Sequence, residues 1–286
     1  MKHDHVNLTP FPSLACPLDG GPLHRDGSSW RCQNGHTFDI AKEGYTHLLP
    51  VQYKRSLDPG DSKEMVAARR RFLESGAYEP ISQALNRIVL ENLSAGQTLN
   101  CLDAGCGEGY YLRRLADAER YDGKLALLGL DISKPAVVSA AKRQKQITWV
   151  VATNAKLPVL TGTLDWVFCL FGFPVFGEFA RVLKPGGRLL LVTAGSEHLK
   201  ELRRILYPVL KTKPEGEMPI PEGFEPVENQ TVRFTVKLEN AASIADLLAM
   251  TPHLYRASSE GREKVSALTE LSVTVDVTLS LLARSA

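Results

Sequence analysis

The stretch LDAGCGEGYYL, Leu102 to Leu112, constrains this chain more than any other. It places glycines at 105, 107 and 109 behind an aspartate, between an apolar run and a helix-forming run. Glycine has no Cβ, so such a loop can turn sharply and let a ligand approach the main chain. TLNCLDAG before it reads as a buried strand, and EGYYLRRLADA as a helix. In open α/β sheets, ligands bind in the crevice beyond the carboxyl ends of the strands.

The chain then repeats the unit. KLALLGLD is a second strand, SKPAVVSAAKRQ a second helix and ITWVVAT a third strand. TLDWVFCLFG is a fourth strand, GEFARVL a helix, KPGG a turn and RLLLVTA a fifth strand. The tail adds strands TVRFTVKL and SVTVDVTLSLL around a helix-like AASIADLLAM. This alternation predicts an α/β protein with a doubly wound, mostly parallel sheet. Upstream, DSKEMVAARRRFLESG reads as a helix with Asp61 as N-cap, Glu64 in capping-box spacing and Gly76 as the stop. A second helix follows Pro80, with Ile81, Leu85, Ile88 and Val89 on one face. Residues 1–50 are rich in Gly, Pro, Asp and His, and little there reads as helix. The division expected is a small module over 1–50, a helical connector over 51–95 and a catalytic domain over 96–286.

No run approaches the roughly 20 apolar residues of a membrane helix. The nearest, Leu164 to Phe176, carries Asp165 and Pro174. MKHDHVNLTP is polar where a signal peptide needs an apolar segment, so a cytoplasmic protein with no membrane partner is expected. Cys101, Cys106 and Cys169 read as small buried hydrophobes. The net charge of +2 neither demands nor excludes nucleic acid.

Two further features sharpen the glycine loop. Asp131 closes the second strand about twenty residues beyond it, the distance expected of a ribose-binding carboxylate. The third strand runs into the polar turn TNAKLP. The spacing is not the G-x-G-x-x-G of dinucleotide enzymes, although a nicotinamide enzyme or a fold without a ligand is a competing reading. Together these features resemble class I S-adenosylmethionine-dependent methyltransferases, and KPGGRLLLVT resembles their fifth strand with its turn. The resemblance implies that Asp103, Gly105, Gly107 and Gly109 shape a pocket for the methionine end. It implies that Asp131 holds the ribose and that Asn154 and Ala155 lie near the adenine.

The flanks narrow the acceptor. AKEGYTHLLPVQYKRSLDPGDSKEMVAARRRFLESGAY resembles the bacterial large-subunit ribosomal RNA guanine-N1 methyltransferases. So do CGEGYY in the loop, the H-L-x-E-L run from His198 to Leu202, and Met250 to Pro252. The resemblance spans residues 16–286. It implies methylation of guanine N1 in a 23S rRNA hairpin near the peptide exit tunnel, a homodimer, and cofactor contacts at Tyr78, Gly107, Glu108 and His198. Guanine N1 lies on the pairing edge, so the base must be unpaired or flipped out. Phe171, Phe173 and Phe176 of FGFPVF are stacking candidates, and equally candidates for the core. Lys54, Arg55, Arg69, Arg70 and Arg71 are candidates for phosphate contacts, although acids interleave them as on a solvated helix face. No residue stands out as a general base. A small-molecule methyltransferase and a non-catalytic RNA-binding protein are the rival readings; a low-molecular-weight acceptor or failure to bind the cofactor would mark them.

The front module reads CPLDGGPLHRDGSSWRCQNGH. The resembling family carries C-x2-C then C-x3-H there, a four-ligand zinc site in a ribbon that helps grip RNA. Here Asp19 stands in place of the second cysteine. Aspartate also ligates zinc, so Cys16, Asp19, Cys32 and His36 can form a site, with His24 as a further ligand candidate. Alternatively, hydrogen bonds and the packing of Trp30 and Phe38 replace the metal. Both alternatives stand open at this level.

Overall fold

A computed structural model describes residues 7–50, 52, 59–118, 123–209 and 219–285. The front segment forms β1 (Asn7–Thr9), β2 (His24–Asp26), β3 (Ser29–Arg31), β4 (Thr37–Asp39) and β5 (Tyr45–His47). Helices α1 (Lys63–Glu74) and α2 (Glu79–Leu90) follow. The alternating region is β6 (Thr98–Ala104), α3 (Tyr110–Ala116), β7 (Lys124–Asp131), α4 (Lys134–Arg143), β8 (Thr148–Val151), β9 (Leu164–Leu170), α5 (Phe176–Val182) and β10 (Leu183–Ala194). The tail holds α6 (Lys200–Leu206), β11 (Phe224–Leu238), α7 (Ala241–Ala249), α8 (His253–Arg256), α9 (Ser259–Ser266) and β12 (Leu271–Arg284).

The main sheet runs β11-β12-β10-β9-β6-β7-β8-β5. Its pairs are parallel except for β12, which lies antiparallel between β10 and β11. The strand order therefore reverses between β6 and β9, the switch point where open α/β sheets hold their ligands. Side chains alternate across the sheet. Leu99, Cys101, Leu125, Leu127, Trp166 and Phe168 face a core closed by α1 to α4. Leu102, Ala104, Ala126, Leu128, Val167 and Cys169 face the other way.

That second face explains the front segment. No helix joins β8 to β9. The loop between them bonds instead to the front segment, through Ala15 N–H to Pro158 O (2.9 Å) and Leu160 N–H to Ser13 O (3.0 Å). Phe11, Leu14 and Leu23 are buried there beside Val159, and α5 adds Phe179 and Val182. β2, β3 and β4 form a separate three-stranded meander, with Trp30 opposite Phe38. The ends of the front segment enter the main sheet: β5 extends it beyond β8, and β1 pairs with the start of β7 at Lys124–Ala126.

Three local expectations change. Ser62, not Asp61, caps α1, its side chain accepting from Met65 N–H at 3.3 Å. Asp61 is drawn away by an ion pair with Arg69. KPGG is a bulge inside β10, where Leu183 and Arg188 pair with Leu164 and Trp166. The strand expected over TVRFTVKL begins earlier, at Phe224.

Candidate active site

The glycine loop is stitched to the end of β7. Gly105 and Cys106 N–H donate to Leu130 O at 2.8 and 2.9 Å. Gly107 N–H donates to Asp131 Oδ2 at 2.9 Å, and Ser133 N–H to Asp131 Oδ1 at 2.8 Å. Gly105 takes φ +99° with open space where a Cβ would be, so a ligand can lie against its backbone. Gly109 has another task. A Cβ there would lie 2.5 Å from the Trp149 ring, and Gly109 is not on the cavity wall. Its expected part in shaping the pocket is thus indirect, through close packing of α3 on Trp149.

A cavity of about 950 Å³ opens over the switch point. Asp103, Gly105, Gly107, Glu108, Asp131, Asn154 and Ala155 line one part of its wall, with Tyr78 and His198 further round. Arg203, His253 and Arg256 also reach it, from segments that sequence reasoning did not connect with the site. Tyr78, Phe171 and His198 form a triangle, with ring centroids 6.2, 5.9 and 6.2 Å apart. Phe171 is 42% exposed and Phe173 87%, both on the wall. Phe176 is not: it packs edge-on against Phe224, 6.2 Å away. Among the described residues, Phe171 (φ +54°) and Leu199 (φ +52°) are the non-glycines with positive φ, and both line the cavity. A bulky side chain adopts that conformation at a cost, and such strain concentrates where function demands it.

His198 is oriented from both sides. Its Nδ1 accepts from Asp276 N–H at 3.3 Å, and its Nε2 lies 3.4 Å from the Tyr78 hydroxyl. A backbone N–H only donates, so Nδ1 is bare and the ring hydrogen sits on Nε2. Burial raises the Tyr78 hydroxyl well above the ordinary tyrosine range, so the phenol stays neutral. Glu108 is buried and bonded to Arg113 at 3.1 Å; burial raises its carboxyl, against the pull of Arg113.

Burial, then the nearby charge of Asp131, raises Asp103 to about 8. Asp103 Oδ1, Asn154 Oδ1 and the Tyr111 hydroxyl are buried on this wall without a partner. Such groups suit a ligand that brings N–H donors and positive charge, which S-adenosylmethionine does through its ammonium and sulfonium. A cation beside Asp103 favours the ionised carboxylate, so binding releases a proton below about pH 8. Affinity for S-adenosylmethionine should therefore climb by up to ~10-fold per pH unit between pH 6 and 8 and then level. Calorimetry in buffers of different ionisation heat checks this; a flat profile equal to that of Asp103→Asn contradicts it.

Among the basic candidates, Arg69 is on the wall but is paired with Asp61 and bonded to Met250 O at 3.1 Å. Arg71 pairs with Asp246. Lys54 and Arg55 lie outside the described residues.

A second cluster sits in the front segment. One ligand atom from each of Cys16, Asp19, Cys32 and His36 falls within 4.8 Å of the others. His36 Nδ1 lies 3.5 Å from Cys16 Sγ, 3.3 Å from Cys32 Sγ and 3.0 Å from Asp19 Oδ2. Zinc bonds of about 2.0–2.3 Å in a tetrahedron set ligands about 3.3–3.8 Å apart, which the separations from His36 to the two thiols match, so the four residues can close on the ion with small shifts. The Gly21 N–H, then the Asn34 amide, hold the Asp19 carboxyl well below the usual carboxylate range, which keeps it ionised. His24, exposed on β2, is not in the cluster.

A methyltransferase-domain profile matches residues 101–187, from within β6 to the bulge of β10. With β12 slotted antiparallel between β10 and β11 at the edge of an otherwise parallel sheet, it makes the chain a class I S-adenosylmethionine-dependent methyltransferase. The profile of the RlmA N-terminal zinc ribbon matches residues 14–57. The 23S rRNA (guanine(748)-N1)-methyltransferase of Streptomyces fradiae is 34% identical, the match covering 94% of each chain. A Bacillus subtilis protein named for 23S rRNA guanine-N1 methylation is 33% identical over 93% of this chain and 95% of its own. A Micromonospora griseorubida protein named for the same reaction is 34% identical over 94% of this chain and 97% of its own. The chain belongs to the family of 23S rRNA (guanine-N1)-methyltransferases.

Proposed function

We propose that this chain methylates N1 of a guanine in 23S rRNA. The observation that carries this reading is the match to such enzymes over nearly the whole chain, ribbon and tail included. S-adenosylmethionine, when bound, supplies an activated methyl group. Gly105, Gly107, Asp103 and Asp131 hold it against the ends of β6 and β7, and Asn154 and Ala155 flank its base. The Tyr78, Phe171 and His198 rings wall the far side and keep water out. Phe173, exposed on the rim, stacks on the flipped guanine.

The finer assignments rest on the family resemblance. The target is a hairpin near the peptide exit tunnel, the protein is a cytoplasmic homodimer, and the ribbon helps grip the RNA. Cys16, Asp19, Cys32 and His36 hold one zinc ion, whose presence native mass spectrometry reads directly. Residues 1–50, 51–95 and 96–286 act as ribbon, connector and catalytic domain. Among the described residues, no helix is long and apolar enough to cross a membrane.

Labelled methyl transfer tests the reading. Incorporation into unmodified 23S rRNA and not 16S rRNA is expected. Label confined to a low-molecular-weight acceptor would identify a small-molecule enzyme instead. RNA binding without cofactor binding would identify a non-catalytic protein.

A further inference from the structure

Guanine N1 carries its proton at neutral pH, so methylation needs a group that takes it. Of the acids on the cavity wall, three are held by protein partners, and Asp103 is the one assigned above to the cofactor. Both oxygens of Asp131 accept backbone N–H groups. Asp61 is paired with Arg69, and Glu108 with Arg113. Asp103 is buried at the end of β6, beneath the loop. His198 has its hydrogen on the nitrogen that faces Tyr78 and its lone pair under Asp276 N–H.

His253 differs. It opens α8, half-buried on the same wall, with Nδ1 2.9 Å from the Tyr207 hydroxyl. Among the described residues, the charged groups that act on it are cationic. Arg203 approaches from α6 and Arg256 from α8, while Arg69 of α1 and Arg262 of α9 bond the neighbouring carbonyls of Met250 and Leu254. Burial, then Arg203 and Arg256, lowers its pKa below that of ordinary histidine, so the ring is neutral at pH 7.

We propose that His253 Nε2 accepts the guanine N1 proton while Arg256 faces the charge that develops on O6. This rests on the guanine-N1 reading above. The Tyr207 oxygen accepts Nδ1–H, which leaves the Nε2 lone pair for the substrate. As the N1–CH3 bond forms, the sulfonium S–CH3 bond breaks and its electron pair stays on sulfur. The N1–H bond breaks toward Nε2. The imidazolium, flanked by arginines, then loses its proton to water. The products are 1-methylguanine, S-adenosylhomocysteine and a proton.

Single-turnover transfer to unmodified 23S rRNA by His253→Asn and His253→Gln tests this. The expected rate loss is on the order of 100–1,000-fold, with S-adenosylmethionine affinity within about twofold by calorimetry. Imidazole should restore His253→Ala in part, and the variants' rates should keep rising with pH where the wild type levels off. Nitrogen-15 NMR of the wild type gives a readout independent of turnover: Nδ1–H with a bare Nε2 is expected. Variants that bind cofactor and methylate within about fivefold of wild type overturn the proposal, as does a bare Nδ1. Should both variants misfold, the NMR arm decides alone. A wild type that never methylates 23S rRNA would instead remove the reading beneath it.

Discussion

Asp131→Ala weakens S-adenosylmethionine binding by about 100-fold or more. The carboxylate does two jobs at once. It fixes the glycine loop through Gly107 N–H and the start of α4 through Ser133 N–H, and its position at the end of β7 is where a ribose would sit. Hydrogen bonds to a charged group are each worth about 1.5–3 kcal/mol. Losing the equivalent of one or two of them costs about 3 kcal/mol, or roughly two decades of affinity. Asp131→Asn keeps an oxygen acceptor and should lose less. Calorimetric titration measures both; an affinity for Asp131→Ala within about fivefold of wild type would show that the cofactor does not depend on this acid.

Gly109→Ala should lower stability by about 2–5 kcal/mol. At φ +81° a side chain costs about 1–2 kcal/mol. Its Cβ would also press into the Trp149 ring at 2.5 Å and Ala140 at 3.0 Å, and overpacking a core costs about 1–3 kcal/mol more. At roughly 2–4 °C per kcal/mol for a chain of this order of size, the melting midpoint should fall by about 4–20 °C. Gly105→Ala is the contrast. Nothing lies within 4 Å of its Cβ, so it carries the backbone strain alone and places its methyl group toward the ligand space. It should lose affinity out of proportion to stability. Equal melting midpoints for the two variants would refute this division of labour within one loop.

Much of this was legible in the sequence because it is local. Strand alternation, the glycine loop and Asp131 all declare themselves within a few dozen residues. Most of the predicted wall residues do converge, from Tyr78 to His198. What was hidden depends on pairing across distance. Gly109 looked like a pocket glycine because the Trp149 ring, forty residues on in sequence, is what it makes room for. Phe176 shared a run with Phe171 and Phe173, but the start of α5 turns it toward Phe224. β1 and β5 are three residues each, too short to show a period, and only their partners in β7 and β8 define them. The ligand set of the ribbon could be read, but whether it closed could not, because spacing says nothing of convergence. His253 sits just beyond Met250–Pro252, a motif the family resemblance had singled out without a role.

The central claim is methylation of guanine N1 in 23S rRNA. Primer extension across the domain II hairpins, after incubation with the protein and S-adenosylmethionine, tests it most directly. A methyl group on N1 blocks pairing, so reverse transcriptase should stop one nucleotide short of a single guanine, and only when the cofactor is present. Full-length extension with the cofactor demonstrably bound would contradict the claim and direct the search to another acceptor.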